Sequence, residues 1–223
     1  KRGKFMDILQ AIEARHSVRA YLDKKIEDET LIALQSKIKE LNAESGLNIQ
    51  LVTNEEKAFG GLMAHYGKFK NVKNYFAMVG DKNAAEKIGY FGEKLVLFAQ
   101  TLGLNTCWVA LTYSKVKSAY TVKKGEKLHV VIALGYGETQ GKPHKSKPAQ
   151  AVSNISENSP ECFKNGVTAA LLAPTALNQQ KFYFTLIGDM VEAKTKRGAC
   201  TKIDLGIAKC HFELGANKKL FDL

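Results

Sequence analysis

Arg15-His16-Ser17-Val18-Arg19 gathers two guanidinium groups, an imidazole and a hydroxyl into five residues. The chain carries 33 basic residues, yet only four of them are arginine (Arg2, Arg15, Arg19 and Arg197), so half of a scarce type sits in one pentapeptide. A guanidinium presents a planar fork of donors that fits two oxygens of a phosphate or carboxylate, whereas a lysine ammonium meets them only as a point charge. The serine hydroxyl adds a neutral donor at the same place. This is chemistry suited to a phosphorylated small molecule; the plain alternative is a helix end with a solvated basic turn. A second local concentration of positive charge, Lys142, His144, Lys145 and Lys147, falls in a loop between Gly141 and Pro148.

The elements that must position these residues follow from apolar spacing. Phe5, Ile8, Leu9 and Ile12 recur at helical intervals and place Arg15 to Arg19 at a helix exit. Asp28 reads as the cap of a second helix through Leu31, Leu34, Ile38 and Leu41 that ends near Gly46. Residues 47–52 and 74–79 read as strands, and the continuous apolar run 128–134 as a third. Residues 84–102 form the longest helical pattern, apolar nearly all round, which predicts a central buried helix. After Pro160 comes another helix running toward Pro174, then a strand at 182–187 and a helix at 204–215. The order helix, Leu-Asn turn, strand, helix, Leu-Gly stop thus occurs twice, suggesting an internal duplication.

Composition bounds the function classes. A chain of 223 residues with 45% hydrophobic content is large enough for a proper core. The net charge of +11 is spread along the length rather than collected in a tract, and it lacks the aromatic and arginine interleaving of nucleic-acid surfaces. Cys107, Cys162, Cys200 and Cys210 form no C-x-x-C pair, which predicts free thiols in a reducing compartment, and Cys210-His211 reads as packing rather than metal ligation, so no metal is expected. Asp7, Gln10 and Glu13 interrupt the apolar positions after Lys1 to Lys4, so no signal-peptide core is present; no run reaches membrane-spanning length; and Met6 reads as the natural start. The expectation is a cytoplasmic protein. Gly135-Tyr136-Gly137 fails as a dinucleotide fingerprint because the next glycine comes one place late and prolines follow. Gly61 to Lys68 fails as a phosphate loop, having one residue too many and Phe69 where a hydroxyl is needed.

Three separated motifs, Arg15 to Arg19, Leu102-Gly103-Leu104-Asn105-Thr106-Cys107-Trp108, and Ala173-Pro174-Thr175-Ala176-Leu177-Asn178-Gln179-Gln180, together resemble the FMN-dependent nitroreductase family. The resemblance implies an α+β, nitroreductase-like α/β sandwich in which two subunits normally build each flavin site. Here the first half carries the arginine motif and the second the proline turn. The chain therefore resembles a variant with two half-size copies fused into an internal pseudo-dimer, residues 6–150 and a shorter 151–223. By that resemblance Arg15 and Ser17 would hold the FMN phosphate, His16 the ribityl side, and Arg19 the pyrimidine edge. Trp108, Val109 and Leu111 would lie along the ring, His144, Lys145 and Lys147 would close over the phosphate, and Pro174, Thr175, Ala176 and Asn178 would line the flavin from the other half. No side chain need act as acid or base, because the flavin carries the chemistry. NAD(P)H would be the donor and a nitroaromatic or quinone-like compound the acceptor; a flavin-binding protein of the same fold without fast turnover is the alternative. Thr175-Ala176 stands where two serines are frequent, and Gln180-Lys181 where Gln-Pro is, which leaves the acceptor pocket open. The acceptor, the preferred nicotinamide and any pairing of whole chains are not fixed by the sequence. One FMN per chain is expected, because no arginine occurs in Ser153 to Lys164 and no proline in the first-half turn Asn42 to Asn48. Arg15 is expected to belong to a site rather than to the core.

Overall fold

The computed structural model describes residues 6–223; Phe5 of the first apolar stripe and Arg2 lie outside the described residues. Helix α1 (Ile8–Ala14) starts under a capping box: Asp7 accepts from the Gln10 N–H at 2.8 Å, and the Gln10 side chain accepts from the Asp7 N–H at 3.1 Å. It ends at Arg15, whose backbone is already extended, so the arginine motif leaves the helix as an extended segment. Helix α2 (Asp28–Ser45) takes Glu27 rather than Asp28 as its N-cap, and closes on Gly46 at φ +70°, a left-handed C-cap that glycine adopts without strain.

Strands β1 (Asn48–Val52), β2 (Asn74–Asp81), β3 (Asn105–Val109) and β4 (Glu126–Gly135) form one sheet in the order β1-β2-β4-β3, antiparallel throughout. Both faces of the sheet are covered. Phe76, Met78, Val130, Ile132 and Leu134 point into the main core, under α2 and the long helix α4 (Ala85–Thr101). Tyr75, Ala77, Val79, Val131 and Ala133 point the other way, against Phe59 and Phe69 from the loops that flank the short helix α3 (Leu62–Tyr66) and Tyr113 from the loop between β3 and β4. Two-sided burial explains why β2 and β4 read as unbroken apolar runs.

The remainder is α5 (Glu161–Ala170), a hairpin of β5 (Phe182–Ile187) and β6 (Met190–Thr195) turning at Gly188, and α6 (Thr201–Ala216). The class is α+β, as the sequence predicts. The sequence reading lacks α3, β3 and β6. The first is only five residues long; β6 alternates exposed and half-buried positions without a strong apolar face; β3 follows the end of α4 after only three residues. Leu34 and Ile38 belong to the same continuous core as Phe163, Phe184 and Phe212, and the expected boundary at 150/151 falls in a short 3₁₀ turn at Ala149–Ala151. Among the described residues, no helix is long and apolar enough to cross a membrane.

At the centre, α4 and α6 cross backbone to backbone. A Cβ on Gly89 would stand 2.0 Å from the Ile203 carbonyl oxygen, and one on Gly206 would stand 1.9 Å from the Glu86 carbonyl oxygen. Each glycine meets the carbonyl three residues before the other, so the crossing is reciprocal. The helix and strand order also recurs once α3, which lies between β1 and β2, is set aside: α2, β1, β2, α4 in the first stretch and α5, β5, β6, α6 in the second, with each strand pair antiparallel.

Candidate functional site

The extended arginine motif is laid along the edge of the sheet. The Val18 N–H donates to the Thr106 carbonyl on β3 at 3.0 Å, and Ser17 bridges Thr106 in parallel fashion. Arg15 and Val18 are buried, His16 is half-buried, and Ser17 and Arg19 are exposed. Gly141 packs beneath, where a Cβ would come within 2.7 Å of the His16 Cβ, so the basic loop can approach the motif closely only without a side chain there.

Arg15 is only 3% exposed, which corrects the expectation that it lies outside the core. Its Nε is 3.6 Å from Glu93 Oε1, and its terminal nitrogen reaches the Leu172 carbonyl at 3.5 Å. Glu93, fully buried on α4, also accepts from the Trp108 indole N–H at 2.9 Å and lies 2.8 Å from His211 Nε2 on α6. His211 Nδ1 faces the Ala169 carbonyl at 3.1 Å. The imidazole thus bridges Glu93 on α4 and a carbonyl in the last turn of α5. The cluster buries the Arg15 guanidinium against the Glu93 carboxylate directly beneath the arginine motif. Burial alone would raise the Glu93 carboxyl, but His211, Arg15 and the Trp108 N–H outweigh it and hold the group below its ordinary 4.5. Burial lowers Arg15 below its ordinary value, against the pull of Glu93.

The basic loop and the proline turn clasp each other. The Asn178 and Gln180 side-chain amides donate to the Lys145 carbonyl at 2.8 and 3.0 Å, and the Lys147 N–H donates to Gln180 Oε1 at 2.9 Å. The Lys147 ammonium donates to the carbonyls of Gln179 and Gln180 at 2.7 and 3.0 Å. His144 Nε2 lies 3.0 Å from the Leu171 carbonyl, which also accepts from the Ser146 hydroxyl at 2.8 Å. Arg15 and His144 thus both reach the carbonyls just past α5, where a helix end leaves acceptors unpaired and its dipole is negative. Burial lowers His144 and His16 below 6.5, and the charge of Arg15 adds to the effect at both.

The turn itself is strained. Leu177, Asn178 and Gln180 all adopt left-handed φ values of 52°, 53° and 43°, uncommon for residues other than glycine and asparagine, and the Leu177 side chain is fully exposed. Asp204 braces it, accepting from the Ala176 N–H at 3.0 Å and from the Gln179 amide at 2.7 Å, while Thr175 Oγ1 accepts from the Gln180 N–H at 3.1 Å. Backbone strain held by such cross-bracing concentrates at functional sites.

The structure therefore brings together Arg15, His16, Ser17, Trp108, His144, Lys145, Lys147 and the turn from Pro174 to Asn178. Val109 is buried on β3, and Leu111 is 79% exposed in the loop beyond, beside α3, where Gly67 and Thr112 pack closely. Sequence reasoning missed Glu93, Gln180 and Asp204 and took His211 for packing. Glu93 carried a usable signal, a carboxylate in a helix that is apolar nearly all round. Two clefts of about 270 and 530 Å³ lie elsewhere, one around Phe163 and Val191, the other around His129 and Arg197.

Residues 7–216 match the family model described as "Putative TM nitroreductase". Among solved structures, a "putative nitroreductase" from Thermotoga maritima is 22% identical, with a TM-score of 0.72 over 100% of this chain and 92% of that one. A "putative nitroreductase in complex with FMN" from Desulfovibrio desulfuricans is 20% identical, with a TM-score of 0.52 over 69% of this chain and 98% of that one. A "Putative NADH Oxidase" from Clostridium acetobutylicum is 18% identical, with a TM-score of 0.50 over 69% of this chain and 100% of that one. At these identities the likeness is one of fold. No curated protein matches the chain.

Proposed function

The chain belongs to the nitroreductase family that its model match defines, and from that membership we propose an FMN-dependent oxidoreductase that passes electrons from NAD(P)H to a small electron-poor acceptor, a nitroaromatic or quinone-like compound. The observation that carries this reading is the convergence of three segments remote in sequence, Arg15 to Arg19, residues 144–147 and residues 174–178, around the buried Arg15–Glu93 pair and the carbonyls past α5. Guanidinium, hydroxyl, imidazole and ammonium donors form a set suited to an anionic, phosphate-bearing group, so FMN fits the chemistry of the site. FMN would supply hydride acceptance and release, which no side chain here has to perform.

The residues of this chain divide the remaining work. Ser17, Arg19 and Lys145 are exposed and offer direct donors to the anion. Arg15 acts from below and donates to phosphate through whatever part of its fork Glu93 and Leu172 leave free. Asn178 and Lys147 fix the clasp, so their contribution is to hold Pro174, Thr175 and Ala176 against the opposite half. Trp108, oriented by its bond to Glu93, and Val109 and Leu111 line the flavin ring in this reading.

The internal pseudo-dimer is part of the same proposal. The reciprocal crossing at Gly89 and Gly206 and the repeated helix-strand-strand-helix order support two fused copies, 6–150 and 151–223, with the flavin between them. Purified protein should carry the visible spectrum of oxidised flavin and bleach anaerobically with NADH or NADPH. A colourless protein that takes up no FMN would sink the proposal. Flavin uptake with only slow bleaching would favour the binding protein over the reductase.

A further inference from the structure

We propose that the 530 Å³ cleft between the start of β4 and the N-terminus of α6 binds a small phosphorylated organic anion, at a site separate from the flavin cleft. Lys127 and His129 enter it from β4, and Arg197 and Lys202 from the β6–α6 connection and the first turn of α6. Arg197 is one of the four arginines of the chain, and the flavin reading makes no use of it. Among the described residues, Lys127, Arg197 and Lys202 form no ion pair. Of the carboxylates nearby, Asp204 accepts from the Ala176 N–H and the Gln179 amide, Glu86 pairs with Lys209, Glu126 accepts from the Asn48 amide and the Lys123 N–H, and Asp81 accepts from the Asn83 N–H while its carbonyl lies 2.8 Å from His129 Nε2. Three cations without an ion pair match the charge of a phosphomonoester better than that of a single carboxylate.

The backbone adds to this. Cys200, the N-cap of α6, sits at φ 61° and offers no side-chain acceptor, and the N-cap of α4, Ala84, offers none either. The first-turn N–H groups of both helices are therefore uncapped by side chains, and Ala85 and Thr201, their first residues, line the same cleft. Ala85, Leu128 and Ile203 give the cleft an apolar wall, which favours an organic phosphate over the bare ion. The volume lies in the range of small-ligand sites.

The inference stands independently of the flavin reading, and the imidazole resonances separate the two. His129 lines this cleft, whereas His16 and His144 flank the arginine motif. The full chain, labelled at histidine and assigned with His129→Gln, is titrated at fixed pH with inorganic phosphate and with ribose 5-phosphate, against chloride at matched ionic strength. The expected result is a saturable shift of His129, tighter for the sugar phosphate, that Arg197→Gln and Lys202→Gln each weaken by about tenfold while His16 and His144 keep their own response. Both substituted residues are exposed, so the fold is retained. A His129 shift reproduced by chloride, a response untouched by both substitutions, or movement of His16 and His144 alone would overturn the proposal.

Discussion

Arg15 shows how one residue can be both foundation and binding group. Its charge is buried against Glu93, and Glu93 in turn is shared with His211 and Trp108. Removing the carboxylate charge leaves the Arg15 guanidinium in the core without its counter-charge. Glu93→Gln should therefore cost about 3–5 kcal/mol, read from the urea midpoint at neutral pH. Arg15→Ala should cost less, about 2 kcal/mol, because Glu93 keeps two donors, and should also weaken FMN ten- to a hundredfold. Unchanged stability in that variant would refute the buried pair. The pH dependence has a definite sign. His16 and His144 are lowered on folding, so the unfolded chain binds more protons below 6.5 and stability falls as pH drops through that region. Glu93 is lowered from 4.5, and its contribution, complete above that value, is lost as pH falls toward its folded-state value. Thermal melts across pH should show both losses in the native chain, with the lower one absent in Glu93→Gln.

Two elements depend on contacts that a small substitution destroys. Alanine at Gly89 or Gly206 gains about 1 kcal/mol of helix propensity in isolation but drives its Cβ into a carbonyl oxygen of the crossing helix. The net loss should be about 3 kcal/mol for either, and similar for both, since the contact is reciprocal. Denaturant midpoints compare them directly. The second case is the clasp. Gln180 is buried and joins Lys145, Lys147 and Asn178, so Gln180→Ala should cost about 2 kcal/mol and speed amide exchange in residues 144–147 while leaving the sheet protected. Uniformly faster exchange would show that the loop is held by something else.

At the scale of the whole molecule, the proposal requires one FMN per chain in a monomer-competent cleft. Titration of apo-protein with FMN, with mass measured in solution, should reach one equivalent without dimer formation; two equivalents, or sites spanning two chains, would show the duplication misread. Much of the architecture was legible in the sequence because it rests on local periodicity. The 3.6-residue spacing of α1, α2 and α4, the apolar runs of β1, β2 and β4, and the left-handed stop at Gly46 are each decided within a few residues by backbone geometry and side-chain burial. The scarcity of arginine likewise pointed to Arg15 to Arg19 without any structure. What the sequence by itself could not determine is which of those side chains face inward. That was decided by tertiary contacts: the Val18–Thr106 pairing holds the segment on the sheet edge, and Glu93 and Leu172 draw Arg15 into the core while Ser17 and Arg19 stay exposed. Glu93, His211 and Asp204 gained their roles in the same way, since a buried charge is tolerated only where partners from distant segments, 118 residues away for the Glu93–His211 pair, arrive within hydrogen-bond distance. Only tertiary packing brings those partners together.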